Sequence, residues 1–336
     1  MKYLKYFENS AAVGNGVEVN LPNVSYLEDS NVLFVPGAEG TATVKYNSTT
    51  GEIEADTNPG YSTMYLTFKA LESGTFSFSK VGIGNDIQYS LDGGSIWASL
   101  TSESNTPIVA AGNEIMWKAE LTPDFFGGIG SFSSTGEFNA MGNIMSLLYG
   151  DNFVGQTDLT GNDYAFANLF YYNDKLIDAA NLNLPATTLA NYCYQSMFYG
   201  CTSLTTAPEI SATTLANGCY VDMFNGCTSL TTAPALPAIT LVDSCYYYMF
   251  CECATLTTAP ELPATTLADY CYYNMFYGCT NLNYIKCLAT DISASDCTYD
   301  WVDGVASTGT FVKDSSMSSW TTGSGGIPSG WTLVNA

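Results

Sequence analysis

Eleven cysteines, twenty-four tyrosines and thirty-two carboxylate side chains are the groups in this 336-residue chain that could do chemistry. Thiols can pair as disulfides or, with histidine, hold zinc. Here there is no histidine, and every one of the nine basic residues is lysine. Ser-His-Asp and Cys-His catalysis are therefore excluded, as are histidine-ligated zinc and arginine forks for phosphate. The formal net charge of −23 repels nucleic acid, which needs cationic side chains to replace its counterions, so no nucleic-acid partner is expected. No apolar run approaches the ~18 residues that would span a membrane, so no membrane insertion is expected. The start, Met1 to Asn9, carries an acid early and lacks an apolar stretch, so it does not read as an export signal.

The spacing of the cysteines redirects the question. Cys193, Cys219, Cys245, Cys271 and Cys297 stand 26 residues apart, and Cys201, Cys227, Cys253 and Cys279 keep the same step. So do Met197, Met223, Met249 and Met275, and Leu204, Leu230, Leu256 and Leu282. Parallel ladders at one period define a repeat protein. Cysteines eight residues apart within a unit, without histidine, are not a metal-ligand pattern, and Cys251 and Cys253 form the one close pair. A thiol is small and apolar, so the ladders read as buried repeat core. No metal, cofactor or catalytic residue is expected.

Within a unit, Leu215, Cys219 and Met223 fall at i, i+4 and i+8, which predicts one apolar helical face. Thr214 with Asn217, Thr240 with Asp243 and Thr266 with Asp269 resemble helix caps. Gly200, Gly226 and Gly278 suit a left-handed helix end, where the third unit carries Glu252. The Leu-Thr-Thr-Ala-Pro run that follows predicts a short strand. Weaker copies extend upstream, so about seven turns are expected, with closely spaced strands on the concave side. Ahead of the repeats, alternating runs at 65–70, 74–79, 87–100 and 114–119 predict antiparallel strands. The expected chain is multidomain: an arm over 1–37, an all-β sandwich over 38–135, a right-handed α/β leucine-rich-repeat-type solenoid over 141–312 and a cap over 313–336. Glycine-rich 125–134 is expected to link sandwich and solenoid.

Tyrosines cluster in the repeats, where no lysine lies between Lys175 and Lys286. Tyr220, Tyr246, Tyr247, Tyr272 and Tyr273 are the candidate binding residues, since an aromatic surface stripe suits a sugar or a protein. Asp222, Glu209, Glu252 and Glu261 do not recur as the pair that glycoside hydrolysis needs. Ser90 to Trp97 is similar to the Asp-box hairpin of sialidases, and a single copy reads as a turn.

The units Met197–Thr205 and Met223–Thr231 resemble the BspA-like class of leucine-rich repeats. The order of an arm bearing Leu21-Pro22-Asn23-Val24-Ser25, a sandwich, this repeat and a tail at 326–334 is similar to proteins of Bacteroidales and their crAss-like phages. That resemblance implies a non-enzymatic virion protein, a head or tail fibre or appendage assembled in the host cytoplasm. Its N-terminal region would contact other virion proteins, its repeats a host-surface glycan or protein, and a homodimer or homotrimer is expected. The alternatives are a BspA-like adhesin on the bacterial cell surface and, third, a glycan-active enzyme. The thiol assignment is checked by titration after denaturation without reductant: eleven free thiols are expected, and a count lower by pairs refutes it.

Overall fold

The chain divides into two compact units, Met1–Gly60 and Tyr61–Ala336. The computed structural model describes residues 61–102, 104–318 and 320–336, together with five short strands before them. In the first unit β1 (Lys5–Tyr6) pairs with β2 (Val17–Glu18), and β3 (Val32–Leu33), β4 (Val44–Tyr46) and β5 (Ile53–Ala55) make an antiparallel sheet. The arm expected over 1–37 and the first part of the expected sandwich otherwise lie outside the described residues.

The second unit opens with β6 (Leu66–Ala70), β7 (Phe76–Lys80), β8 (Ile83–Gly84), β9 (Ile87–Ser90), β10 (Ala98–Leu100), β11 (Glu114–Lys118), β12 (Leu121–Thr122), β13 (Gly130–Ser134) and β14 (Phe138–Asn143). After helix α1 (Ser146–Tyr149) come β15 (Leu176–Asn183), β16 (Tyr284–Cys287), β17 (Thr310–Lys313) and β18 (Thr332–Asn335). Six strands form one sheet in the order β10-β9-β11-β6-β14-β15, antiparallel throughout except for the parallel pair β14–β15. Alternation along β6 turns Leu66, Phe68 and Ala70 inward. There Phe68 meets Phe76 of β7 and Phe132 of β13, two strands that pair with each other. Residues 130–134 are thus a core strand, not the expected link. Through β14 and β15 the sheet runs directly into the repeats, and both share one hydrophobic core.

The expected α/β leucine-rich-repeat-type solenoid does not form. Among the described residues the one α-helix is α1, four residues long, and none of the 26-residue units that follow it contains a helix. The expected concave sheet is missing as well. Between β15 and β16 the Leu-Thr-Thr segments make only single bridges, such as Thr206 to Thr232, and no continuous sheet joins them among the described residues.

What replaces the helices is a run of tight turns. Tyr192, Ser196 and Gly200 have φ of 55°, 52° and 68°, and the corresponding Gly218, Asp222 and Gly226, then Ser244, Tyr248 and Glu252, repeat this left-handed step. A left-handed residue every fourth position ends any α-helix before it propagates. The backbone bonds then alternate. N–H groups of Gln195, Met197 and Tyr199 donate three residues back, to Tyr192, Tyr194 and Ser196. Those of Tyr194, Ser196, Phe198 and Gly200 donate to Cys219, Val221, Met223 and Asn225 of the next unit, at 2.7–3.0 Å. The expected caps disappear with the helices, and Asp269 Oδ1 instead accepts from Ser295 N–H one unit on, at 2.8 Å.

Units bonded this way lie in register, so like side chains stack. Phe170, Phe198, Phe224, Phe250 and Phe276 form one column with centroids 5.3–5.9 Å apart and planes within 8°. That spacing is near the ~4.8 Å between strands and far from the ~8–10 Å between helices, which removes the expected cause of curvature. The Cys193, Cys219, Cys245 and Cys271, the Met197, Met223, Met249 and Met275, and the Leu204, Leu230, Leu256 and Leu282 columns are all fully buried. The second cysteine column also makes hydrogen bonds: Cys201, Cys227, Cys253 and Cys279 donate Sγ–H to the carbonyls of Phe170, Phe198, Phe224 and Phe250, at 3.0–3.2 Å. Gly218 has φ of 61°, and a Cβ there would strike the ring of Tyr192 in the preceding unit. At the far end β16, β17 and β18 form a parallel sheet.

Urea unfolding separates the stacked interior from its surface. Phe224→Ala removes a ring packed on both faces and is expected to lose about 3–5 kcal/mol. Tyr247→Ala, on the outside, is expected to lose less than about 1 kcal/mol, and equal losses would contradict the column assignment.

Candidate functional site

The outward-facing columns carry the groups left free for recognition. Because inward positions repeat strictly every four residues in adjacent pairs, Cys219 and Tyr220 both point into the core, as do Cys245 with Tyr246 and Cys271 with Tyr272. Three of the five candidate tyrosines, Tyr220, Tyr246 and Tyr272, are accordingly 1–2% exposed, stacked on one another, and are not a binding surface. Burial drives their hydroxyls well above the usual phenol range, and the Tyr246 oxygen has no hydrogen-bond partner. Tyr247 and Tyr273 do reach the surface. Their rings stack at 4.8 Å, and Tyr299 continues the row at 4.7 Å.

Beside that row lies an open groove of about 410 Å³. Its walls are Tyr199, Tyr248 and Tyr277, with Asn225, Asn274, Cys251 and Glu252 between them. The groove arises where two columns are irregular. One runs Tyr171, Tyr199, Asn225, Cys251, Tyr277, and its neighbour runs Ser196, Asp222, Tyr248, Asn274. Small side chains in the middle layers leave a hollow that rings enclose on either side. The left-handed turn residues Tyr248, Glu252 and Asn274 are thereby fixed in direction by the backbone, not by their own packing.

The electrostatics of the groove are negative. Asp222 is half-buried and accepts from Asn225 Nδ2 at 2.7 Å. Burial raises its carboxyl above the usual range, and the Asn225 bond partly offsets that. Tyr199 is raised to about 12, first by its hydrogen bond with Tyr172, then by burial and by the Tyr172 and Asp222 charges. Tyr248 is raised to about 12 by burial and then by its neighbours Tyr247 and Tyr273. Cys251 is raised to about 12 by burial and by the charges of Glu252 and Asp222. Neither Asp222 nor Glu252 belongs to any of the ion pairs among the described residues. Asn274 is 8% exposed and its Oδ1 has no hydrogen-bond partner.

No family model, curated protein or solved structure matches this chain.

The other candidate features are closed on themselves. In the Asp-box-like hairpin, Asp92 accepts from Ile96 N–H at 2.9 Å and from the Ser90 hydroxyl at 2.7 Å, which fastens the turn. Its Trp97 lies 4.4 Å from Lys118 Nζ, which is ion-paired with Asp151 at 2.7 Å. Among the described residues no three of Cys, Asp and Glu converge as a metal site. No helix of the described residues is long and apolar enough to cross a membrane. Tyr199, Asn225 and Asn274 are not among the residues that the sequence singles out, and Asn225 and Asn274 are each only 8% exposed.

Asp222 yields a pH test. Its folded pKa lies above its unfolded value, so the stability it contributes is present below the unfolded pKa and is lost as pH rises through the folded one. Asp222→Asn keeps the shape and suits the left-handed backbone. It is expected to raise the melting temperature by a few degrees at pH 7, with the gain shrinking as pH falls through the carboxylate range. A pH-independent gain would contradict the buried-charge assignment.

Proposed function

We propose that this chain is a non-enzymatic structural and binding protein of a bacteriophage virion, a head or tail fibre or appendage. One observation carries the reading: a sheet and a stack of in-register layers share a single continuous core, and the stack turns an irregular tyrosine row outward. Such a body transmits position rigidly and offers recognition groups on one face, as an appendage requires. The N-terminal region attaches to other virion proteins, and the repeats contact a host-surface glycan or protein. The protein works as a homodimer or homotrimer, assembled in the host cytoplasm. The similarity to crAss-like phage proteins in the order of segments supports this assignment, and the absence of arginine and histidine weighs against a catalytic one.

Mass spectrometry of purified particles tests the proposal. The chain is expected among the virion proteins at a copy number that is a multiple of two or three per attachment point. The signature at 197–205 and 223–231 also resembles bacterial adhesins, so recovery from the bacterial envelope, with none in particles, would replace the virion reading by that one.

A further inference from the structure

We propose that strand β18 pairs with β18 of a second copy of this chain, antiparallel across a two-fold axis, so that two stacks join through one sheet. The inference rests on the reading of the protein as a homo-oligomer and names the surface that makes it a dimer.

The far end of the stack is closed on one side and open on the other. Within the stack, layers satisfy part of their amides on the layer beside them. On the turn side Trp320 covers the end, its ring stacked on Trp301 at 5.7 Å. Val302 N–H donates there to the Ser324 carbonyl, and the Trp301 indole N–H to that of Gly326. On the strand side β16, β17 and β18 continue the layers as a parallel sheet, and among the described residues β18 pairs with β17 alone. Thr332 and Ala336 donate N–H to Gly309 and Lys313, each at 2.8 Å. The period of two along a strand therefore turns the N–H and C=O groups of Leu333 and Asn335 away from β17. All four side chains of β18 are exposed.

Three features select a second copy of the chain as the occupant of this edge. Thr332-Leu333-Val334-Asn335 has neither the lysine nor the proline that keeps exposed edges apart, and its pairing with β17 shows no bulge. No charged side chain follows Asp314, so two chains of net charge −23 meet here without setting like charges together. The strand is also complementary to itself. A two-fold axis perpendicular to the sheet allows two registers that use the outward amides, centred on Leu333 or on Val334. The second sets Leu333 against Asn335. The first sets Leu333, 48% exposed, against its own counterpart and Val334, 42% exposed, against Thr332, so side-chain matching selects it. Leu333 N–H then donates to the Leu333 carbonyl of the second copy, and Asn335 N–H to its Trp331 carbonyl, each reciprocated. Strands this short bury less than the ~800 Å² per partner of a stable interface, so the dimer is weak in free solution. It is consolidated where attachment through the N-terminal regions holds copies at high effective concentration.

Sedimentation equilibrium of the full chain tests the pairing. A monomer–dimer equilibrium with Kd on the order of 100 μM is expected. Leu333→Pro removes an outward donor and leaves the bonds to β17 intact, and Leu333→Lys sets two cations together on the axis. Each is expected to weaken the dimer by about tenfold or more, with thermal melts showing that the fold is kept. With glutathione disulfide as oxidant, Leu333→Cys is expected to link two chains covalently, because directly paired Cα atoms lie about 5.5 Å apart, and Val334→Cys is not. The native thiols are buried and serve as the background. A monomer at every concentration, a trimer, or a dimer indifferent to both Leu333→Pro and Leu333→Lys overturns the pairing. Val334→Cys linking as well as Leu333→Cys overturns the register. Each of these results leaves detection in particles as it stands, whereas dimerisation of a chain absent from particles keeps the pairing and removes the appendage reading.

Discussion

Along the turn segment of each repeat every second backbone N–H points out of its own unit and onto the next, and the rest of the structure follows from that alternation. An α-helix satisfies its amides within itself and can be packed at many angles. Here half of the amides can be satisfied only if another layer lies about one strand spacing away and in register. The left-handed residues at every fourth position enforce this, because they turn successive amides alternately inward along the unit and outward across it. Many of them are not glycine. Tyr192, Ser244, Tyr248, Glu252 and Tyr270 each carry a side chain in a region that costs roughly 1–2 kcal/mol per residue. The inter-layer bonds and the ring columns must outweigh that strain collectively, since no single layer could sustain it.

Register constrains the two sides of the stack differently. Inside, a column must hold one residue type for like shapes to stack, and the phenylalanine, methionine, cysteine and leucine columns do so almost without exception. Toward the surface the constraint is looser, and a column changes from Tyr199 to Asn225 to Cys251 to Tyr277 while the backbone stays regular, although Asn225 and Cys251 are themselves buried. The groove is a local departure from the repeat rather than a product of it. Its negative field has the same origin, because Asp222 occupies a turn position whose direction is set by the backbone.

The ladders at 26 residues were legible in the sequence, and so was the burial of their members. Helix against turn was not. An apolar face at Leu215, Cys219 and Met223 fits an α-helix, where residues four apart drift by only about 40° around the axis, and it fits a four-residue turn repeat equally well. Over so short a segment the two differ mainly in whether the residue beside each apolar position is also inside. A helix places Tyr220 away from the face of Cys219, whereas the turns bury both, which is why Tyr220, Tyr246 and Tyr272 were assigned outward and lie inward. The β-strands ahead of the repeats were easier, since alternation such as Leu66, Phe68, Ala70 has no competing period. Gly130–Ser134 was hidden because its glycine suggested a link, while Phe132 supplied a core ring. Asn274 offered no compositional signal, since its place in the groove wall comes only from how neighbouring layers stack.

The cysteine columns bring one further consequence. Each thiol of Cys201, Cys227, Cys253 and Cys279 gives its hydrogen to a phenylalanine carbonyl in the layer before, and burial holds those protons firmly. A thiolate or a fully oxidised sulfur could not make that donation, and all four side chains are fully buried. While the layers are closed the thiols are shielded from oxidants. While the chain is still open, as during synthesis, they are not. The redox poise of the compartment in which the layers close therefore becomes a condition of the architecture, and the order of events, closure before oxidation, matters as much as the sequence.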